Sequence, residues 1–349
     1  MNILHFVMSI IQILGNIRTY IERVIIMINT KELIKLDDSL MFNLSLSSKE
    51  LFHSNFLAFV FKKMPDIFGK IIGKENIIVK EVKREYRNID ILVICNNNEK
   101  YIIENKIKDV AKDEQLESIY SKSPDYNGYY LFSLLGNNIK NKNEMNINWK
   151  EIGYKHIVDI LLKYNYNSNY YNIVLNDYCN FMNLIINIFN EIFGKNNSYI
   201  FFNNDNDLIK PLIELRIHDL FMKYGMSQFI NYFNKNYNLK NEIKTEYTVY
   251  RSQPTMTFMK IYKGYNIRIE IGDIVYKKGV ICKDESELKY FENKKWLDKN
   301  YRSSTGKKYL KYNLHEKGIF YYQVLLNRNI KGINYDLLSE YILEDLRIS

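Results

Sequence analysis

The chain is poor in cysteine, with Cys95, Cys179 and Cys282 as its three. They are odd in number, far apart and set in mostly apolar surroundings. That pattern excludes a disulfide framework and a cysteine-ligated zinc site, and it fits a reducing cytosol. Long apolar runs are scarce as well. The N-terminal stretch from Ile3 to Leu14 is apolar but short, whereas a bilayer span needs about 20 such residues. It also lacks the basic flank and small-residue cleavage site of a signal peptide, so no membrane partner is expected. Residues 1–40 read as an N-terminal helical extension. Their first 30 form an amphipathic or buried helix, or lie upstream of the protein's true start. No fixed-period repeat recurs, which excludes a solenoid.

Apolar bulk and positive charge are what the chain does have. Of its 349 residues 46% are hydrophobic and 15% aromatic, enough for a sizeable core and too much for global disorder. The net charge is +9 and the pI about 9.0. Two readings of that surplus stay open. One is a polyanion partner whose phosphates release counterions on binding, the other a generic lysine-rich surface.

The pattern predicts a helix over 47–64, with Ser47 or Ser48 as N-cap and Glu50 in the first turn, where the helix dipole favours an acid. Leu51, Phe52, Phe56, Phe59, Val60 and Phe61 recur at helical spacing, and Pro65 and Gly69 break the run. Strands follow over 76–85, 88–95 and 100–107, and Asn96-Asn97-Asn98 makes the last two a hairpin. A helix over 112–122, a buried strand over 129–135, a polar loop over 137–148 and helices over 154–163 and 174–193 complete an α/β sandwich. Its sheet is mixed and its domain spans 41–195. An Asn-rich linker covers 194–207. Residues 208–349 read as a separate α+β domain for substrate or partner binding, a second copy of the chain included. It has helical segments over 208–234, 286–301 and 335–348 and strands over 245–260, 262–272 and 319–326. Its Lys289, Lys294, Lys295, Lys307, Lys308 and Lys311 interleave with Tyr290, Phe291, Trp296, Tyr309 and Tyr312. That mixture suits either backbone tracking with base stacking or a solvated face.

Asp90 sits inside the apolar run Ile89–Cys95, and apolar strands rarely hold charge unless it is paired or binds a metal. Glu104-Asn105-Lys106 ends the next strand. With the turn centred near residue 97, Glu104 falls opposite Asp90, about 5 Å away at Cβ. Like charges so placed repel unless a cation lies between them. Lys106, two residues beyond Glu104, shares their face. Asn105 points the other way, and its backbone carbonyl is free to reach a metal. Two carboxylates and an ammonium at one sheet edge can hold a hard divalent cation beside a water and a phosphate, which is what metal-assisted phosphodiester hydrolysis requires. An ordinary ion pair between Glu104 and Lys106 is the plainer alternative. Glu81, Glu85 and Arg87 read as rim charges, with Arg87 a candidate for phosphate contact. His53 lies three residues after Glu50. It either approaches a phosphate or water, or packs in a core.

Asp90, the apolar strand after it, and Ile103-Glu104-Asn105-Lys106-Ile107 resemble the PD-(D/E)XK nuclease superfamily. The order helix, hairpin, helix, strand is similar to that family's core. Lys49-Glu50-Leu51-Phe52-His53-Ser54 and Gln115-Leu116 add to the resemblance, which covers about residues 45–165. It implies a restriction-endonuclease-like core, a mixed central sheet flanked by helices. It also implies a Mg²⁺ site, with Mn²⁺ able to substitute. Asp90, Glu104, the Asn105 carbonyl and the helix acid Glu50 would ligate the ion, and Lys106 would position the attacking water. Gln115 with Tyr120 resembles a helix motif whose Gln and Tyr touch substrate or the lysine, although the spacing here is one residue longer. Ile89 stands where the family has proline. The implied function is hydrolysis of nucleic acid, DNA before RNA, with a bacterial defence role as a family-level expectation. An RNA- or tRNA-cleaving toxin and an inactive binding module on the same fold remain alternatives.

Overall fold

The computed structural model describes residues 35–348 apart from 37, 47–48, 109–110, 112, 123, 136–148, 165–167, 194–208, 239–241, 251–252, 273–274, 315–317, 326–327, 329 and 331–332. The helix expected over residues 1–30, the caps Ser47 and Ser48, the loop 137–148 and the linker 194–207 therefore lie outside the described residues. The chain divides into two compact units, residues 1–188 with 210–216, and residues 189–209 with 217–349.

In the first unit a short helix α1 (Leu40–Ser45) is capped by Ser39, whose hydroxyl accepts from Phe42 N at 3.2 Å. Helix α2 (Lys49–Lys63) buries Phe56, Leu57, Val60 and Phe61. The break expected at Gly69 does not occur there. Gly69 lies within α3 (Ile67–Ile72), and the chain turns at Gly73, where φ is 71°. A Cβ on Gly69 would sit 2.5 Å from Lys74 O and 2.9 Å from Ile77 O. This residue is glycine because the following backbone crosses over it.

Three antiparallel strands follow, β1 (Val79–Tyr86), β2 (Ile89–Cys95) and β3 (Lys100–Lys106). Tyr86 pairs with Ile89 across Arg87 and Asn88, whose φ values are 54° and 64°. Left-handed backbone at both central positions is the type I′ turn that matches strand twist. Helix α4 (Asp113–Lys122) leads to β4 (Gly128–Ser133), parallel to β3. The sequence pattern misses the next strand, β5 (Trp149–Gly153), which is parallel to β4 and completes the order β1-β2-β3-β4-β5. The sheet is thus mixed, as expected. Helices α5 (Tyr154–Leu162), α6 (Asn169–Phe193) and α7 (Ile209–Glu214) follow.

Pleating sends alternate residues to opposite faces. On one face Leu92, Ile102 and Leu131 pack under Leu116 and Ile119 of α4. On the other, Tyr101 and Tyr130 meet Phe68 of α3 at ring distances of 5.4 and 6.4 Å. β2 and β3 are covered on both sides, so they read as nearly unbroken apolar runs.

The second unit carries α8 (His218–Asn236) and a six-stranded antiparallel sheet in the order β10-β11-β9-β8-β7-β6. Several expectations need correcting here. The single strand over 245–260 is a hairpin of β6 (Lys244–Tyr250) and β7 (Gln253–Tyr262), with Val249 opposite Pro254. Strand β8 (Tyr265–Ile271) falls inside the range expected, whereas β9 (Tyr276–Cys282) was not anticipated. The helix over 286–301 shrinks to α9 (Leu288–Asn293). Lys295 turns left-handed, with φ 56°, and Trp296 and Leu297 N–H groups both return to Phe291 O. Trp296 then points inward and donates to Asp345 O at 2.8 Å. The sheet ends in β10 (Leu310–Asn313), also unanticipated, and β11 (Ile319–Val324), before α10 (Tyr335–Asp345). Of the basic and aromatic residues singled out here, Phe291, Trp296 and Tyr309 are buried. Lys308 and Lys311 lie over the Tyr309 and Tyr321 rings. The tryptophan is a core residue, whereas the two tyrosines, although mostly buried, line a cleft of about 420 Å³ with Lys307, Lys308 and Lys311. Among the described residues no helix is long and apolar enough to cross a membrane.

Candidate functional site

The β2–β3 register pairs Ile91 with Ile103 and Leu92 with Ile102. The next pair outward sets Asp90 opposite Glu104, on the face covered by α4. Glu104 is 1% exposed. Lys106 Nζ lies 2.9 Å from Glu104 Oε1, and Gln115 Nε2 donates to the same oxygen at 2.5 Å. The other oxygen, Oε2, is buried without a hydrogen-bond partner. Gln115 reaches the acid because its neighbour Leu116 anchors α4 on the sheet. Asp90 Oδ2 accepts from Asn105 N at 2.8 Å.

The N–H and carbonyl of one strand residue point the same way, and successive residues alternate. Lys106 O faces β4, where it accepts from Leu134 N at 3.0 Å. Asn105 therefore directs both backbone groups toward β2, and its carbonyl shares the edge where Asp90 sits. Its side chain goes to the opposite face. There Tyr154 OH donates to Asn105 Oδ1 at 2.6 Å, and Asn105 Nδ2 donates to Ser54 Oγ at 3.0 Å. Ser54 donates in turn to Glu50 O at 3.1 Å. Tyr178 hydrogen-bonds the Tyr154 hydroxyl, and His53 Nδ1 lies 2.8 Å from Tyr178 OH. A buried polar chain from His53 through two tyrosines thus holds the residue between Glu104 and Lys106. The sequence carries no signal for it, because His53 and Tyr178 are 125 positions apart.

His53 accordingly belongs to the core. Its ring packs among Phe52, Tyr154, Tyr178 and Phe181, and burial pushes its pKa down to about 3. Tyr120 is also structural, its ring 4.9 Å from that of Tyr129. Glu50 lies within electrostatic reach of Glu104 and Lys106. It does not close up with the other two acids. Among the described residues no three His, Cys, Asp or Glu side chains form a ready metal-ligand cluster. Glu85, read as a rim charge, acts electrostatically on Asp90 and has a left-handed φ of 49°.

Burial dominates the electrostatics. It raises Asp90, against the pull of the Asn105 N–H and Lys106. Glu104 is pushed up to about 7, by burial first and by the Asp90 charge next. For Lys106 burial alone would favour the neutral amine, but Glu104, Glu50 and Asp90 together raise its pKa, and it stays an ammonium. A group so held cannot accept a proton. It can orient a water and offset negative charge. No family model, curated protein or solved structure matches this chain. Its function has to be read from these side chains.

The donor set suits a hard divalent cation. Two carboxylates and a backbone carbonyl are hard oxygen donors, and Mg²⁺ characteristically takes one or two protein carboxylates plus phosphate and water. A three-acid cluster is not required for it. The buried oxygen of Glu104 without a partner and the raised carboxyl pKa values mark a place where positive charge would relieve the fold. Arg87 stands apart from the acids, beside a cleft of about 420 Å³ that it lines with Asn88, Ile89, Gln115, Ser118, Ile119 and Lys122.

Proposed function

We propose that the first unit is a Mg²⁺-dependent nuclease of the PD-(D/E)XK kind, hydrolysing phosphodiester bonds with DNA as its first substrate. The observation that carries this reading is the half-buried Asp90 facing the buried Glu104, with one Glu104 oxygen bonded to Lys106 and the other without a partner. An inert ion pair leaves no reason for a second carboxylate facing the first across the hairpin. Asp90, Glu104 and the Asn105 carbonyl would hold the ion, with Glu50 behind them. When bound, the ion supplies the charge that neutralises the scissile phosphate and acidifies a water. Lys106 would orient the attacking water and meet the negative charge gathered on the scissile phosphate. Gln115, which donates to Glu104 Oε1, would fix the orientation of that carboxylate, and loss of such a supporting bond typically costs ten- to a hundredfold in affinity or activity.

The test is to incubate the purified full chain with supercoiled plasmid, single-stranded DNA or total RNA, in Mg²⁺, Mn²⁺ or EDTA, beside Lys106→Ala. Cleavage that needs a divalent ion and disappears in the variant is expected. A wild-type protein that cuts none of the three substrates overturns the proposal, as does a Lys106→Ala protein that cuts equally well.

A further inference from the structure

The cleft beside Gln115 is built from two elements. The type I′ turn supplies Arg87 and Asn88, and one stripe of α4 supplies Gln115, Ser118, Ile119 and Lys122 at positions i, i+3, i+4 and i+7. Its floor is apolar, Ile89 and Ile119, both buried. Asn88, Gln115 and Ser118 are polar wall groups. Arg87 and Lys122 stand at its rim, exposed, and neither pairs with an acid among the described residues. Gln115 joins the cleft to the acids, because its Nε2 is committed to Glu104 Oε1 and its carbonyl oxygen remains as an acceptor.

We propose that this cleft seats one unpaired nucleotide of a single strand next to the scissile phosphate, which makes unpaired nucleic acid the preferred substrate. The proposal rests on the nuclease reading above. A volume of about 420 Å³ falls in the range of sites for small organic ligands, which is the scale of one nucleotide. The ring or sugar lies on Ile89 and Ile119, the wall groups meet base edges, and the flanking phosphates lie between Arg87 and Lys122. A duplex enters only by flipping a base out of its stack, at a cost of a few kcal/mol, whereas an unpaired strand avoids that cost.

The experiment is fluorescence polarisation in EDTA, where nothing is cut. The probes are a roughly 12-nucleotide single strand, as DNA and as RNA, and the matching duplex, a length within usual site sizes. Wild type is expected to bind the single strands more tightly than the duplex. Arg87→Ala and Lys122→Ala each weaken single-strand binding about fivefold and each lower the salt slope by about 0.7. Ser118→Trp fills the cleft without touching either cation. It weakens single-strand binding and leaves duplex binding within about twofold, which plain charge attraction cannot explain. Lys150→Ala, on the far edge strand, is the charge control, and thermal melting checks that each variant is folded. Equal affinity for single strand and duplex, or single-strand binding indifferent to Ser118→Trp, overturns the proposal. Wild type that cuts while the cleft variants bind normally sinks this inference alone. Cleft variants that behave as expected in a protein that cuts nothing sink the nuclease reading instead.

Discussion

At the scale of single residues, two like charges face each other across a hairpin while one ammonium serves both. Asp90→Asn removes one of the charges and keeps an oxygen to accept from Asn105 N–H. It leaves the Lys106–Glu104 pair intact, so the metal-free protein should gain on the order of 1 kcal/mol. Glu104→Gln differs, because relief of its buried charge is offset by stripping Lys106 of its bonded carboxylate. Both variants should abolish cleavage. Without metal, Asp90→Asn should melt above wild type, and a melting temperature at or below wild type would show that repulsion does not govern the site. The pH dependence follows from the same burial. A carboxyl raised to about 7 in the fold binds its proton more tightly there than when unfolded. Its contribution is full below the ordinary carboxylate range and is lost as pH climbs from about 4.5 to about 7, a loss of about 3 kcal/mol. His53 acts in the opposite sense. Its depressed pKa means that the unfolded chain takes the proton first, so stability falls as pH drops below about 6.5. Metal-free melts of wild type and Glu104→Gln between pH 4.5 and 7.5 should diverge as pH rises, and parallel curves would refute the assignment.

At the scale of elements, the β2–β3 hairpin was the most legible part of the chain. Its turn residues and continuous apolar strands set the register, and the observed pairing of Ile91 with Ile103 brings Asp90 and Glu104 face to face as the spacing requires. What stayed hidden depends on contacts distant in sequence. Trp149–Gly153 fell between the expected loop and the next helix with no element assigned, since it is held as a strand by β4 alongside it. The helix ending at Asn293 stops because Trp296 finds a partner at Asp345, 49 positions away. The chain of His53, Tyr178 and Tyr154 was likewise unreadable, although each residue sits on a correctly anticipated helix. That chain makes its own prediction. Tyr154→Phe removes the hydroxyl that holds Asn105 Oδ1, so the residue between Glu104 and Lys106 loses one of its anchors. Stability should fall by about 1–2 kcal/mol. Cleavage should fall about tenfold or more, and the Mg²⁺ concentration for half-maximal rate should rise. A drop in melting temperature with an unchanged Mg²⁺ requirement would reduce Tyr154 to packing.

At the scale of the whole molecule, each unit carries a hydrophobic cluster of its own. One is built on Leu92, Ile102, Leu116 and Leu131, the other on Phe229, Phe258, Ile269 and Leu338. All the groups proposed to meet metal or strand belong to the first. An ion that binds only the folded first unit stabilises that unit by mass action, about 2.7 kcal/mol at a hundred times its dissociation constant. Mg²⁺ should therefore raise the melting transition of the first unit. Asp90→Asn should erase the shift, because one remaining carboxylate and a carbonyl bind a hard dication weakly. Differential scanning calorimetry at rising Mg²⁺ checks this without any cleavage assay. A Mg²⁺ shift retained in Asp90→Asn would place the ion elsewhere, and no shift in wild type would remove the metal from the mechanism.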